Sequence, residues 1–288
     1  MISPTEARDI LNRYGFKFKK SLGQNFLIDA NILEKIIDGA NICEDDFVLE
    51  VGPGIGSLTQ GLCERAAKVV AVEIDNRLIP ILDETLEDYD NAYVVHGDIL
   101  DIDLNDLIAN YFGDKSFKVV ANLPYYITSP IIMTFLESSL PYEDLVVMVQ
   151  TEVADRIVAS PGTKAYGSLT VAVQYYTEAN IIAKVPASVF MPQPKVGSAV
   201  IKLTRRENLP LDEKESKLFS EVVRGAFSKR RKTVLNALST YPFEKNMGDK
   251  DHVRQILESC EIEPNRRGET LSVEEFVELT RGFCKKIK

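Results

Sequence analysis

The fold is decided by Val48-Leu-Glu-Val-Gly52-Pro-Gly54-Ile-Gly56-Ser-Leu-Thr59, an apolar run that leads into three glycines. This pattern predicts a strand, a tight turn and a helix, and doubly wound sheets bind their ligands at such a turn. A dinucleotide fingerprint would need glycine at position 57, where Ser57 stands, so a nicotinamide cofactor is disfavoured. The loop alone is equally typical of cofactor binding and of a simple tight turn.

Short β-branched runs recur along the chain at a spacing of about 20 to 30 residues, which is typical of strand-helix-strand units. The predicted strands lie at 47–51, 69–72, 92–95, 118–121 and 145–149. Helical patterns at 57–66 and 77–86 fill gaps between them, so we predict a parallel, doubly wound α/β sheet. Two later runs, at 181–185 and 198–203, have little helix between them and are expected to pair antiparallel at the sheet's edge.

Helices are also predicted before the first strand of this sheet and after its last strand. Ser3, Pro4 and Glu6 form a capping box with proline at the first helical position, which indicates an N-terminal helix. Beyond Leu203 the segment 204–210 indicates a linker, and an apolar stripe at 218–227 has helical spacing. We therefore predict an α/β domain over residues 1–204 and a smaller, all-helical domain over residues 205–288.

The composition describes a globular chain without a membrane span or a metal centre. Of its 288 residues, 45% are hydrophobic and 27% are charged, and no apolar run approaches the roughly 20 residues that span a bilayer. The N-terminus lacks the apolar stretch of a secretory signal, so we expect a cytoplasmic protein. The four cysteines form no C-x-x-C pair and the two histidines are far apart, which argues against zinc and disulfides.

Acidic residues stand at the ends of the next two predicted strands. Glu73 follows the glycine loop by about 20 residues, the distance at which an acid reaches a ribose diol in dinucleotide folds. Asp98 could accept a hydrogen bond from an adenine amine, and its neighbour His96 is interpreted as a packed residue. Three strand ends that serve an adenosine without a pyrophosphate predict S-adenosylmethionine. This arrangement is the pattern of the Rossmann-like class I methyltransferases.

The motif Asn122-Leu123-Pro124-Tyr125-Tyr126 follows the fourth strand and indicates the chemistry. A surface loop rarely carries this much apolar and aromatic area. The exocyclic amine of adenine is a poor nucleophile because its lone pair is delocalised, so a site must fix both hydrogens and let the nitrogen pyramidalise. The Asn122 side-chain oxygen and the Leu123 carbonyl are the expected acceptors, and Tyr125 is expected to stack on the base. We predict that catalysis resides in Asn122, Leu123, Pro124 and Tyr125.

Further motifs make a family resemblance specific. Beside GPGIGSLT and NLPYY, the chain carries KKSLGQNFL at 19–27, FMPQPKV at 190–196 and FSKRRKT at 227–233. Over nearly its whole length it resembles the bacterial small-subunit (16S) ribosomal RNA adenine N6-dimethyltransferases, the kasugamycin-sensitivity enzymes. Two positions depart from that pattern: Thr151 stands where relatives usually carry lysine, and Gly197 where aspartate is common.

The resemblance implies roles for individual residues. Glu73 would take the ribose hydroxyls of S-adenosylmethionine, Asp98 would take its adenine amine, and Phe190 would be a second wall of the target-base pocket. The residues implied to contact or close over the cofactor are Gln24, Asn25, Leu27, Gly52, Gly54, Gly56, Glu73, Ile74, Asp98, Ile99 and Asn122.

The resemblance also implies the reaction. A monomer would transfer methyl groups to two adjacent adenosines near the 3′ end of small-subunit ribosomal RNA, within an assembling small subunit, and release S-adenosylhomocysteine without using a metal. One alternative is the large-subunit enzyme of macrolide resistance, but those chains are usually strongly basic, whereas the pI here is near 5.0. The other is a non-catalytic ribosome-assembly factor, which would be expected to have an eroded NLPYY or GxGxG motif.

Positive charge is concentrated in places although the net charge is −9. Lys229, Arg230, Arg231 and Lys232 are consecutive, and phosphate binding depends on concentrated positive charge. We expect this cluster to bind RNA and the domain at 205–288 to be the RNA-binding domain. The alternative is a solvated helix surface that is neutralised by Glu221 and its neighbours. Lysines at positions 17, 19 and 20 form a second candidate cluster.

Overall fold

The computed structural model describes residues 1–243 and 249–286, and the chain divides into two compact units. The first unit comprises Met1–Ala154 and Glu178–Arg205, and the second comprises Asp155–Thr177 and Arg206–Lys288. The division after Arg205 lies where the linker was expected. Residues 155–177 belong to the second unit, although we assigned them to the first, because nothing in their composition separates them from the strands on either side.

A seven-stranded sheet forms the centre of the first unit, in the order β4-β3-β2-β5-β6-β9-β7. Its strands are β2 (Phe47–Val51), β3 (Lys68–Glu73), β4 (Ala92–His96), β5 (Phe117–Asn122), β6 (Tyr142–Gln150), β7 (Thr177–Val185) and β9 (Ser198–Arg205). The strands from β2 to β6 pair in parallel, and β9 pairs antiparallel with β6. The two late runs, which form β7 and β9, are therefore neighbours at the edge of the sheet, as expected. Of the two, β9 is the strand that pairs with the parallel part of the sheet.

The strand register brings the expected loops to one edge of the sheet. Val51 pairs with Val72 on one side and with Ala121 on the other. These β-branched and small residues are buried, as expected for a parallel sheet covered on both faces. Because parallel strands end at the same edge, the glycine loop, the Glu73 segment and the Asn122 motif emerge beside one another.

Helices surround the sheet, and α1 begins with the predicted capping box. The Ser3 amide donates to Glu6 Oε2 at 2.8 Å, and the Glu6 amide donates to Ser3 Oγ at 3.3 Å. The helices are α1 (Pro4–Arg13), α2 (Ala30–Gly39), α3 (Ser57–Cys63), α4 (Ile79–Thr85), α5 (Leu104–Tyr111), α6 (Thr128–Leu136) and α7 (Thr151–Ile157), within which the boundary between the units falls. Short 3-10 turns lie at Lys20–Leu22 and Ala187–Val189.

A second, two-stranded sheet was not predicted. β1 (Phe26–Leu27) pairs antiparallel with β8 (Phe190–Met191), so that Leu27 lies opposite Phe190. The Ile28 amide extends the pairing by donating to the Val189 carbonyl at 3.0 Å. This pairing joins the GQNFL and FMPQPKV motifs, which are far apart in the sequence.

The described residues of the second unit are helical, which confirms the prediction for the C-terminal region. The helices are α8 (Ser168–Tyr176), α9 (Glu213–Phe227), α10 (Val234–Leu238), α11 (Lys250–Ser259) and α12 (Val273–Lys286), with a 3-10 turn at Gly268–Thr270. In α9, Asp212 caps the first turn, and Phe219 and Val222 lie in the buried stripe. None of the helices in the described ranges combines the length and the apolar composition of a membrane-spanning segment.

Candidate active site

A cleft opens at the edge of the sheet where β2, β3 and β5 end. It brings together most of the residues predicted from sequence, and the residues that line it are Leu22, Gly23, Gln24, Asn25, Phe26, Gly52, Gly54, Glu73, Ile74, Leu78, Asn122, Leu123, Pro124 and Tyr125. An adjoining recess is lined by Leu27, Leu33, Glu50 and Ser57, among others. All of these residues belong to the first unit.

The three glycines of the first loop have different environments. Gly52 has a φ of +71°, and a Cβ built there would meet no atom within 4 Å, so this position leaves open space beside the cleft. Gly54 has a φ of +63°, and a Cβ there would lie 3.0 Å from the Phe26 ring. Gly56 packs against Thr85 and Leu82 of the neighbouring helix. The structure therefore brings Gly52 and Gly54 to the cleft, whereas Gly56 serves the packing of the turn.

Glu73 ends β3 with a buried carboxylate. Its Oε1 accepts from the Asp75 amide at 2.8 Å and its Oε2 accepts from the Gly54 amide at 3.3 Å. Burial raises the pKa of Glu73 to about 7, although these backbone donors oppose the shift. The carboxylate is thus fixed in direction and keeps further lone pairs for a ligand in the cleft.

Glu50 is a site residue that the sequence analysis missed. It lies within β2, is 1% exposed and lines the recess. Burial raises its pKa to about 8, and the nearby Glu73 carboxylate acts in the same direction. Within the described residues, Glu50 Oε2 and Ser57 Oγ have no hydrogen-bond partner. A ligand with a cationic or hydrogen-bond-donating group would satisfy both oxygens. In the sequence, the signal for this site residue was a glutamate inside an otherwise apolar strand.

We expect Glu50→Gln to make the ligand-free protein more stable at about pH 8 than the wild type, by more than about 1 kcal/mol. Because the folded pKa lies above the unfolded one, the folded protein retains a proton that the unfolded chain loses as pH rises from the ordinary glutamate pKa of 4.5 towards about 8. Wild-type stability is therefore lost over that window, and the neutral amide removes the loss.

Thermal unfolding at about pH 5 and about pH 8 measures this difference, and exposed Glu44→Gln is the matched control. An identical pH dependence in wild type and Glu50→Gln would contradict the assignment.

The side-chain amide of Asn122 is held by a residue from the N-terminal part of the chain. Its Nδ2 donates to the Asn25 carbonyl at 3.1 Å. Leu123 is buried, and the Pro124 carbonyl accepts from Thr128 Oγ1 at 3.1 Å, which ties the motif to the first turn of α6. The motif is thus a fixed turn at the cleft and not a mobile surface loop.

The two tyrosines of the motif differ in their surroundings. The Tyr125 hydroxyl and Ser198 Oγ are 2.6 Å apart, and Ser198 is buried at the start of β9. Burial raises the pKa of Tyr125, so the hydroxyl stays neutral at ordinary pH. Tyr126 is 54% exposed and packs against Gly23, where a Cβ would lie 3.2 Å from its ring. Tyr125 is therefore the ring whose orientation is fixed within the cleft.

Predicted residues at the end of β4 are less enclosed. Asp98 is half-buried, and its Oδ1 accepts from the Leu100 amide at 2.9 Å. Ile99 is buried, whereas Ile74, at the end of β3, is exposed at the cleft. Our interpretation of His96 as a packed residue is wrong, because this last residue of β4 is exposed.

Phe190 lies next to the site in an apolar cluster. It is 4% exposed, pairs with Leu27 and belongs to the same buried apolar cluster as Leu33 and Leu58. Its role as a wall of the target-base pocket stays a prediction.

The two residues that depart from the family pattern contact each other, since the Thr151 amide donates to the Gly197 carbonyl at 3.1 Å.

The predicted basic cluster belongs to the second unit. Its four residues are exposed and lie in the turn between α9 and α10, not on a helix surface as the alternative supposed. Lys229 donates to Thr240 Oγ1 at 2.7 Å. Among the described residues, neither Arg230 nor Arg231 forms a salt bridge.

The structure also holds, in its described ranges, no group of three or more His, Cys, Asp or Glu side chains suited to a metal ion.

Comparison with known proteins assigns the family. The family model described as "Ribosomal RNA adenine dimethylase" matches residues 15–279. The chain belongs to the ribosomal RNA adenine dimethylase family. This membership confirms the resemblance that the motifs carried and the enzyme class that it implied.

Individual relatives agree with this assignment. The chain is 53% identical to the "Ribosomal RNA small subunit methyltransferase A" of Alkaliphilus oremlandii over 285 residues, which cover 99% of this chain and 98% of the relative. A solved dimethyladenosine transferase from Plasmodium falciparum superposes with a TM-score of 0.77 at 29% identity, covering 91% of this chain and 98% of that one. The 23S rRNA methyltransferase ErmE superposes with a TM-score of 0.67 at 28% identity, covering 90% and 100%.

Proposed function

We propose that the chain uses S-adenosylmethionine to dimethylate the exocyclic N6 amine of two adjacent adenosines near the 3′ end of small-subunit ribosomal RNA, and so contributes to maturation of that subunit. The observation that carries this proposal is the Asn122 amide, which is held by the Asn25 carbonyl at the cleft where Glu73 and Gly52 also lie. An amide at this point suits an amine substrate, since its oxygen accepts a hydrogen bond.

The residues of the cleft fit the cofactor. Open space beside Gly52 would admit a ligand close to the backbone, and the Glu73 carboxylate would accept from ribose hydroxyls. The unpartnered Glu50 oxygen suits the ammonium group of the cofactor's amino acid end. Asp98 would take the adenine amine. When bound, S-adenosylmethionine supplies an electrophilic methyl group on a positively charged sulfur.

The chain's own contribution to the reaction is chiefly positioning. The Asn122 oxygen and the Leu123 carbonyl would accept the two hydrogens of the adenine amine, which lets its nitrogen turn its lone pair towards the methyl group. Tyr125 would stack on the base and stabilise transient positive charge, and its bond to Ser198 keeps the ring in place. The amine becomes more acidic once alkylated, so its proton can leave to an acceptor or to solvent without a strong base.

The small subunit is the proposed source of the substrate, because the relative at 53% identity over nearly the whole chain is named for it. The large-subunit enzyme ErmE is similar at 28% identity. Incubating the protein with labelled S-adenosylmethionine and with purified small or large subunits, each lacking methylated adenine, separates the two. Label in the small-subunit RNA alone supports the proposal, and label in the large-subunit RNA alone would support the alternative. We propose that the enzyme acts as a monomer in the cytoplasm, where subunits assemble.

We propose that the second unit binds RNA through Lys229, Arg230, Arg231 and Lys232. Replacing Arg230 and Arg231 by Ala should flatten the slope of log affinity against log salt by roughly 1.5 to 2 units, if both contact phosphates. Cofactor affinity should not change. Filter binding of small-subunit RNA over a range of salt concentrations measures the slope.

The control for this prediction changes the net charge equally. Lys214 and Lys217 are exposed on the first turns of α9, and their double replacement by Ala should alter the slope much less. If the Arg230/Arg231 variant keeps wild-type RNA affinity at every salt concentration, the cluster is a solvated surface, and the lysines at 17, 19 and 20 become the candidates.

A further inference from the structure

Residues 16–27, called the arm below, run from α1 to the catalytic cleft and contact it at several points. A Cβ on Gly23 would lie 3.2 Å from the Tyr126 ring, and the ring of Phe26 lies against Gly54. The Asn25 carbonyl accepts the hydrogen bond from Asn122 Nδ2 at 3.1 Å. The arm therefore touches both the glycine loop and the NLPYY motif.

The Asn25 carbonyl determines which way the Asn122 amide points. A backbone carbonyl can only accept a hydrogen bond, so the atom of Asn122 that faces it must be the nitrogen. The amide oxygen is then turned away from Asn25, and it is this oxygen that an adenine amine would need. If the arm shifted, Asn122 would lose the partner that fixes which way its amide oxygen and nitrogen point.

Besides the pairing of β1 with β8, the arm is anchored by a buried carboxylate. Asp75 is 2% exposed, and its Oδ2 accepts from Gln24 Nε2 at 2.8 Å. Lys19 adds a backbone bond to Gln24 Oε1 at 2.8 Å, and its ammonium lies 3.9 Å from Asp75 Oδ1. Gln24, which precedes Asn25 in the chain, is thus bonded to the buried Asp75 carboxylate outside the arm.

Arg77 ties the same carboxylate to an earlier part of the arm. Its Nε donates to Asp75 Oδ1 at 2.8 Å, its Nη2 forms a short contact with Oδ2, and its Nη1 donates to the Lys17 carbonyl at 2.9 Å. The guanidinium also lies over the Phe16 ring, with its carbon 4.7 Å from the ring centroid. The hydrogen bonds from Arg77 lower the pKa of Asp75 to about 2, so the anchor is charged at any working pH.

We infer that Asp75 is a positioning residue for methyl transfer: through Gln24 and Arg77 it anchors the arm, so that the Asn25 carbonyl holds the Asn122 amide with its oxygen towards the substrate amine. This inference rests on the proposed function, because it assigns the oxygen of Asn122 to the adenine amine. It differs from direct cofactor binding, because Asp75 is not among the residues that line the cleft and acts there through Gln24 and Arg77.

The test uses Asp75→Asn in the full chain, with two measurements. Loss of the charge should lower the single-turnover rate of methyl transfer at saturating cofactor by about tenfold to a hundredfold, as for loss of charge-assisted hydrogen bonds. Limited trypsin cleavage after Lys17 and Lys19 should become at least about tenfold faster, because the released arm opens locally. Cleavage after Lys35, in α2 of the same unit, should stay at the wild-type rate.

Gln24→Met is the second variant, because it removes the bond to Asp75 but leaves the Asp75–Arg77 pair intact, and it should reproduce both effects if Asp75→Asn folds poorly. Asp114→Asn, at an exposed position, is the control and should show neither. Faster arm cleavage with an unchanged transfer rate would overturn the inference, and so would a slower rate with unchanged cleavage. A wild-type protein that fails to label small subunits would instead overturn the proposed function.

Discussion

Asn122→Ala should reduce the turnover number for methyl transfer by roughly a hundredfold to a thousandfold, the range found when one fixed hydrogen-bonding group that acts on the transition state is removed. The variant loses the amide oxygen assigned to the target amine. Cofactor affinity should change little, because the cleft retains Glu73 and the open space beside Gly52. Single-turnover kinetics with small subunits, together with calorimetric titration of cofactor, measure the two quantities separately.

Asn110→Ala, an exposed change on α5, is the matched control for general effects of losing an asparagine. If Asn122→Ala transfers methyl groups at nearly the wild-type rate, the assignment of Asn122 is wrong. If it loses cofactor affinity in proportion to its activity, Asn122 serves the cofactor and not the amine.

Glu73→Ala should weaken S-adenosylmethionine binding by at least about a hundredfold, because two charge-assisted bonds to the ribose contribute about 1.5 to 3 kcal/mol each. Since burial raises the pKa of Glu73 to about 7, wild-type affinity should rise as pH increases through that value and the carboxylate forms. Isothermal calorimetry over this pH range measures both effects.

Glu73→Gln is the matched control, since it keeps the shape of the side chain and its one remaining oxygen can still accept from the Asp75 amide, the closer of the two donors. It should fold normally, bind more weakly than the wild type and lose the pH dependence. A dissociation constant that is unchanged in Glu73→Ala would exclude the ribose role and reopen the identity of the ligand.

Local patterns allowed much of the fold to be predicted. The five parallel strands appear where β-branched runs recur, and the Ser3–Glu6 capping box starts α1, because both signals arise from neighbours in the sequence. The site followed from topology: once parallel strands are inferred, the residues after each strand must meet at one edge. This reasoning predicts that Gly52, Glu73 and Asn122 lie together, and all three line the cleft.

Features that depend on distant partners could not be predicted. The pairing of β1 with β8 joins two-residue segments, which are too short for any periodicity. The Asp75 anchor depends on where the arm returns to the sheet, and no spacing in the sequence encodes this. Residues 155–177 look like part of the α/β sequence but group with the later helices.

A motif defines the position of a residue better than the direction in which it faces. Gly56 belongs to the glycine pattern, and the side on which a Cβ would lie is occupied by Thr85 and Leu82. His96 ends a strand at a rim, where side chains can turn outward. Glu50 was overlooked because alternation along a buried strand does not reveal which polar residue has a ligand as its partner.

The central claim is tested most directly by counting and locating the methyl groups. Small subunits that lack dimethyladenosine are incubated with the protein and S-adenosylmethionine, and their RNA is digested and sequenced by mass spectrometry. We predict four added methyl groups per subunit, as N6,N6-dimethyladenosine at two adjacent positions near the 3′ end. Methyl groups on another base or atom, or no transfer at all by a folded protein that binds the cofactor, would contradict the account.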